Sequence, residues 1–266
     1  MGEGAGGFGR GSLRDLISFP VIHAVTDSAA LLMPDFFSRA EAVMRTLGSR
    51  GALQLRTSRL SGRAFHEIAE KLSALQAVTG CWLIVNDRVD VACSVGARGI
   101  QLASHSLRMP EARIVAPDVP AGISIHSVDE ARAAESEGAA WCVAGTVFET
   151  PSHEGRAPAR IQFIQQVIAA VGIPVIAIGG IQPADIRALK AVGAHGVATI
   201  RGAGWDHRPV PGLPDGNPPE TRRFPPGVGD SGEPVARYIS AYDADDGSGS
   251  DDRPDSERSG SRSIPG

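Results

Sequence analysis

The sequence predicts a single (β/α)8 (TIM) barrel, and three observations carry that expectation. Eight short apolar runs recur along the chain, each followed by a helical pattern or its remnant. The runs are apolar almost without alternation, as in Pro174-Val175-Ile176-Ala177-Ile178, the pattern of strands buried on both faces of a helix-covered parallel sheet. Three connections repeat one form: Val95-Gly96-Ala97-Arg98-Gly99-Ile100, Glu137-Gly138-Ala139-Ala140-Trp141 and Val192-Gly193-Ala194-His195-Gly196-Val197. Each is a glycine helix stop followed by a short turn into the next strand. A doubly wound open sheet is the alternative. It usually carries a glycine-rich loop after its first strand, whereas here that strand ends in Val25-Thr26-Asp27-Ser28.

Strands are expected at 20–25, 51–56, 82–86, 98–102, 121–126, 141–147, 174–178 and 196–200, where the apolar runs lie. Helices are expected at 34–47, 62–79, 88–96, 128–137, 160–171 and 183–192, with a poor, proline-broken one near 108–116. Ser127 followed by Glu130 marks the start of the fifth-strand helix as a capping box. Gln182-Pro183-Ala184-Asp185 opens the helix after strand seven with proline in its first turn. A last helix, Pro234 to Tyr242, follows an insertion over 205–232 that is dense in proline and glycine and is expected to be irregular. The barrel thus spans 19–242. Residues 1–18 and 243–266, rich in glycine, serine and charge, are expected to be disordered, and 243–266 to be dispensable for stability. The glycines of Gly7-Phe8-Gly9-Arg10-Gly11 follow no strand and carry no weight as a nucleotide motif.

Composition narrows the function. Of 266 residues 42% are hydrophobic, ordinary for a globular protein. The formal net charge of −4 resides in residues 243–266, where seven acids face three arginines, so no basic surface is offered to nucleic acid. Only two lysines occur, Lys71 and Lys190, both in surface-helix patterns, which argues against a Schiff-base enzyme. Cys81, Cys93 and Cys142 have no metal-like spacing and lie in apolar contexts, as expected of buried thiols in a reducing compartment. No apolar run approaches 18 residues, and the N-terminus lacks the apolar core of a signal peptide, so a soluble cytoplasmic protein without a membrane partner is expected. A homo-oligomer is left open.

Barrel chemistry lies at the carboxyl ends of the strands. Those ends supply Gln54 and Arg56; Asn86, Asp87 and Arg88; Gln101; Ser124 and His126; Thr146 and the loop 149–156; Gly179 and Gly180; and Thr199 and Arg201. Residues two apart, such as Ser124 and His126, point to one side of their strand. His126 is the best proton-transfer candidate, because imidazole titrates near neutrality and the capping box does not need it. His23, His66, His105 and His195 lie within strands, helices or their flanks and read as structural. Gly179-Gly180 ends a buried strand where backbone N–H groups approach an anion, a place where such barrels hold phosphate.

In their order and spacing five segments resemble the thiamine phosphate synthase and thiazole tautomerase family. They are Gln54-Leu55-Arg56, Ile84-Val85-Asn86-Asp87-Arg88, Gly122-Ile123-Ser124-Ile125-His126-Ser127, Gly145 to His153, and Ile178-Gly179-Gly180-Ile181. The resemblance covers about residues 20–204 and 233–242. For the synthase branch it implies transfer of a pyrimidine pyrophosphate to a thiazole phosphate with lysines and Mg²⁺. Here Ser58 and His153 stand at two lysine positions, Ser106 stands at the second metal carboxylate, and Asp87 matches the first. For the tautomerase branch, which this chain resembles at Gln101, at Phe148-Glu149-Thr150 and around His126, it implies a cofactor-free proton shift that aromatises a thiazole phosphate carboxylate. His126 is then the acid/base. Gly179, Gly180 and the backbone around Gly202 hold the phosphate, Arg56 or Asn86 faces the carboxylate, and Gln54, Asp87, Ser124, Thr146, Thr150 and Ser152 complete the pocket. Arg201 replaces a serine usual in both branches, and Ala159-Arg160 a usual Leu-Gly. The partner implied is a small phosphorylated thiazole. Mg²⁺ is required only for the synthase alternative, and a catalytically silent thiazole-phosphate-binding barrel is the non-enzymatic one.

Overall fold

Strands whose side chains are apolar on both faces need a layer on each side, and a ring of parallel strands wrapped in helices supplies both. The computed structural model describes residues 19–103, 106–148, 160–205 and 232–244. Eight parallel strands form a closed barrel in chain order: β1 Ile22–Val25, β2 Gly51–Leu55, β3 Trp82–Asn86, β4 Gly99–Leu102, β5 Ala121–Ile125, β6 Trp141–Gly145, β7 Val175–Ile178 and β8 Gly196–Thr199. Ile22 closes the ring, lying opposite Gly51 of β2 and Val197 of β8. The α-helices among the described residues are α1 Phe36–Leu47, α2 Gly62–Thr79, α3 Val89–Val95, α4 Met109–Val115, α5 Val128–Ser136, α6 Arg160–Ala170, α7 Ile186–Ala191 and α8 Glu233–Asp243. Fold class and element order agree with the sequence. The three repeated stops turn at Gly96, Gly138 and Gly193 with φ of +67°, +86° and +94°, the left-handed region that favours glycine.

Period-two alternation divides each strand between two cores. Ile22, Leu53, Leu83, Val85, Ile100 and Val197 face outward against Val43, Leu72, Val167 and Leu189 of the helices. Val25, Ala52, Ile84, Trp141, Val143, Ile176 and Ala198 fill the barrel. At the amino ends of the strands Phe19 closes the interior. Its ring centroid lies 4.9 Å from Trp141, 5.3 Å from His195, 5.7 Å from Trp82 and 5.8 Å from His23. His23 and His195, read from sequence as structural, hold this plug through their Nε2 atoms, 3.2 Å from the Pro20 and Phe19 carbonyl oxygens.

Two boundaries shift. The irregular insertion, placed by sequence at 205–232, does not include Trp205, which is 2% exposed and donates from Nε1 to the Val25 carbonyl at 2.8 Å. Its indole packs at a tilt against Phe36 of α1, ring centroids 5.8 Å apart, so the barrel reaches one residue further than its apolar strands suggest. The acidic tail, placed at 243–266, does not include Asp243, the last residue of α8, whose carboxylate takes both Arg50 guanidinium nitrogens at 2.5 and 2.7 Å. The remaining tail, 245–266, the N-terminal segment 1–18 and residues 206–231 lie outside the described residues. Among the described residues no helix is long and apolar enough to cross a membrane.

Burial pulls the His23 imidazole down to about 4, with His195 adding like-charge repulsion and the Pro20 carbonyl opposing both. A histidine depressed in the folded state contributes stability above its unfolded pKa near 6.5 and loses it as pH falls toward 4. Unfolding free energy measured between pH 7 and 4 should therefore drop, with His23 supplying on the order of 3 kcal/mol. In His23→Gln the baseline will be lower but the slope across that window shallower. An unchanged slope would place the acid sensitivity elsewhere.

Candidate active site

The inward residues at the carboxyl ends of the strands form a polar layer directly above the apolar filling. On β2 and β3, Gln54 Nε2 donates to Asn86 Oδ1 at 2.7 Å, and Asn86 Nδ2 donates to Asp87 Oδ2 at 2.5 Å. The other Asp87 oxygen accepts the Ala103 N–H at 2.9 Å and the Ser106 hydroxyl. On the adjoining strands β4 to β6, Trp141 Nε1 donates to Gln101 Oε1 at 2.8 Å, and Gln101 Nε2 donates to Ser124 Oγ at 3.1 Å. Indole N–H only donates, so Gln101 turns its oxygen to Trp141 and its nitrogen to Ser124. The serine oxygen then accepts, and its hydrogen is left to donate.

His126 follows β5 at the mouth. Its Nδ1 lies 2.8 Å from the Gly145 carbonyl oxygen at the end of β6. A carbonyl accepts only, so Nδ1 carries the proton and Nε2 carries the lone pair in the neutral ring. The neighbouring capping box forms in altered shape. Ser127 Oγ accepts the Glu130 N–H at 3.1 Å, and the Glu130 carboxylate reaches back to the N–H of His126, not of Ser127. The backbone of His126 is thereby tied to the start of α5 while its ring points to β6.

Arg56 has its backbone N–H and carbonyl bonded to the buried Thr26 hydroxyl at 2.8 and 3.0 Å, with an exposed guanidinium at the mouth. Arg201 is half-buried after β8. Loss of water pulls its pKa below the usual arginine range, and the Asp27 carboxylate opposes that fall. Arg88 instead pairs with Asp90 of α3 at 2.6 Å.

Asn86 is held between Gln54 and Asp87, its oxygen accepting from the first and one amide hydrogen given to the second, which leaves its other amide hydrogen for a substrate. Several expected assignments change. Gly202 is explained by packing: its N–H donates to Thr199 Oγ1 at 3.1 Å, and a Cβ there would fall 2.1 Å from the Tyr238 hydroxyl. Thr199 itself turns outward to α8, its hydroxyl 3.4 Å from that of Tyr238. Gly179 has a structural need of its own, since a Cβ would meet Thr146 Cα at 2.9 Å and its φ is +108°. Gly180 shares the left-handed region at +64°. Thr150, Ser152 and His153 lie outside the described residues. Trp141 and Thr26 are polar determinants that sequence reasoning missed. The signal for Trp141 is its register partner, Gly122, where a Cβ would fall 2.1 Å from the indole nitrogen.

A closed parallel barrel with a polar layer and an imidazole at the carboxyl ends of its strands defines a small-molecule barrel of the enzyme type. Residues 22–203 match the thiamine monophosphate synthase family, and the chain belongs to that family. It is 32% identical over 179 residues to a thiamine-phosphate synthase of Pyrococcus abyssi, covering 67% of this chain and 84% of that one. It is 35% identical over 181 residues to a thiamine-phosphate synthase of Desulfitobacterium hafniense, covering 67% and 86%. The solved thiamine phosphate pyrophosphorylase of Pyrococcus furiosus superposes with a TM-score of 0.67 at 24% identity, over 84% of this chain and 96% of that one, a likeness of fold. These relatives carry the synthase name, the transferase side of the resemblance.

Replacing Trp141 by Phe deletes the N–H donor together with part of the bicyclic ring, leaving Gln101 Oε1 buried without that donor beside a small cavity. Trp141→Phe should cost about 1–3 kcal/mol in urea unfolding for the lost donor, with the cavity adding to it. A neutral result would mean that another donor reaches Gln101.

Proposed function

We propose that the protein acts in thiamine biosynthesis as an isomerase of the thiazole tautomerase type, on a phosphorylated thiazole carboxylate. The observation that carries this reading is the orientation of His126, with Nδ1 on the Gly145 carbonyl and the basic nitrogen left for chemistry. Nε2 takes the proton from the ring carbon that bears the carboxylate. The released electron pair moves through the ring to the exocyclic carbon, which receives a proton back, and the ring becomes aromatic. No electron leaves the substrate, so the step balances without a redox partner. Arg56 and the Ser124 hydroxyl face the carboxylate as cation and donor. The strand-seven glycine turn and the half-buried Arg201 hold the phosphate.

The second reading is thiamine phosphate synthase, and the names of relatives at 32–35% identity favour it over isomerisation. The chemistry of the donor set opposes it. A Mg²⁺ site for pyrophosphate needs clustered oxygen anions, but Asp87 has a serine hydroxyl beside it where the synthase pattern has a second carboxylate. Among the described residues no group of three His, Cys, Asp or Glu side chains is placed to hold a metal.

Two assays on one preparation decide between the readings. With the non-aromatic thiazole phosphate carboxylate, aromatic absorbance should appear, and His126→Asn should slow it about 10²–10⁴-fold with little change in KM. With hydroxymethylpyrimidine pyrophosphate and thiazole phosphate, little thiamine phosphate should form with or without Mg²⁺. Synthase turnover of about 1 per second or faster, or full isomerase activity in His126→Asn, overturns the proposal.

A further inference from the structure

An ionised carboxylate has one hydrogen-bonding sign: it accepts and never donates. Asp87 therefore forces Asn86 to turn its amide nitrogen toward β3's end and its oxygen toward β2, where Gln54 Nε2 meets it. Gln54 in turn has its oxygen and its second amide hydrogen left for the interior. The oxygen, Oε1, is buried and has no hydrogen-bond partner among the described residues, on a side chain 4% exposed. A buried acceptor without a donor costs free energy, and a ligand that brings an N–H or O–H recovers it. The same carboxylate is held on its far side by the Ala103 N–H and the Ser106 hydroxyl, so three donors take most of its roughly four acceptor sites, which a cation would have to displace. Asp87 holds this place with φ +61°, a conformation retained where surrounding bonds over-determine it.

We infer that Asp87 is a positioning residue and not a cation ligand: closed by Ser106, it sets the signs of the Asn86 and Gln54 amides. The pocket wall at β2 thereby presents a buried acceptor, Gln54 Oε1, to a ligand edge that carries a hydrogen. The inference uses the pocket of the proposed function and does not depend on the reaction assigned to it.

Full-length protein titrated with Mn²⁺ alone tests the first half by electron paramagnetic resonance. The wild type should leave the free-ion signal intact, while Ser106→Asp, which restores a second carboxylate beside Asp87, should diminish it. Stoichiometric Mn²⁺ binding by the wild type, or no gain in Ser106→Asp, overturns it. Side-chain amide NMR of the ligand-free protein tests the relay. Asp87→Asn removes the fixed sign and should displace the Gln54 NH2 resonances, although the two side chains do not touch in the chain of bonds; unmoved resonances overturn it. With the dihydrothiazole substrate, Asp87→Asn and Gln54→Ala should each raise KM several-fold with kcat little changed. The double variant should be no worse than the poorer single. Multiplying effects would show that Asp87 acts apart from Gln54. A wild type with no turnover contradicts the isomerase reading and leaves the Mn²⁺ and NMR results to decide this one.

Discussion

A ring of eight strands encloses a space that inward side chains must fill by register, and here the filling is organised around Trp141. The indole is fully buried and lies opposite Gly122, whose missing side chain makes room for it. Below, it meets Phe19, the ring that closes the amino end of the barrel. Above, its single N–H must find an acceptor once it is out of water, and Gln101 supplies one. One side chain therefore joins the hydrocarbon floor to the polar layer that follows it. The orientation of Gln101, and through it Ser124, is inherited from the packing of the floor.

Two chains of amides and hydroxyls then line adjoining arcs of the pocket, and they meet where Asn86 of β3 lies beside its register partner Gln101 of β4. The wall of β2 and β3 begins at an acceptor, Asp87, and finishes at an acceptor, Gln54 Oε1. The wall of β4 to β6 begins at a donor, the Trp141 indole, and finishes with the Ser124 hydroxyl hydrogen. In the proposed reading a ligand carboxylate is received at the Ser124 end, close to where His126 leans toward β6. Such fixed dipoles need no rearrangement as charge moves during a reaction, which suits a proton shift between two carbons.

The barrel was legible because the signals that specify it are local. Unbroken apolar runs give strands buried on both faces, and the glycine stops at 96, 138 and 193 set the connections within a residue or two of where they fall. The ring of polar strand ends was legible for the same reason, since strand position and period two together place Gln54, Gln101 and Ser124 inside. What was hidden depends on contacts across the ring. Nothing local shows that Asn86 is held between Gln54 and Asp87, or that Ser124 accepts from Gln101 and retains a hydrogen to give. Gly202 reads like a phosphate-loop glycine, and only the Tyr238 hydroxyl arriving from α8 reveals that it makes room for a ring. Trp205 stands at the head of a proline- and glycine-rich stretch, and the carbonyl of Val25 that holds it lies 180 positions away in the chain.

That tryptophan has a consequence for how the protein tolerates change. The segment 206–231 leaves the barrel at a side chain locked to β1 and returns at α8, which is itself fastened by buried Val235 and by the Tyr238 hydroxyl on the Ile181 carbonyl. Both attachment points belong to the barrel and are fixed by bonds to the ends of its strands. Trp205 and Tyr238 thus act as two clasps, and loss of either would be felt at β1 or at the turn after β7, far away along the chain from the altered residue.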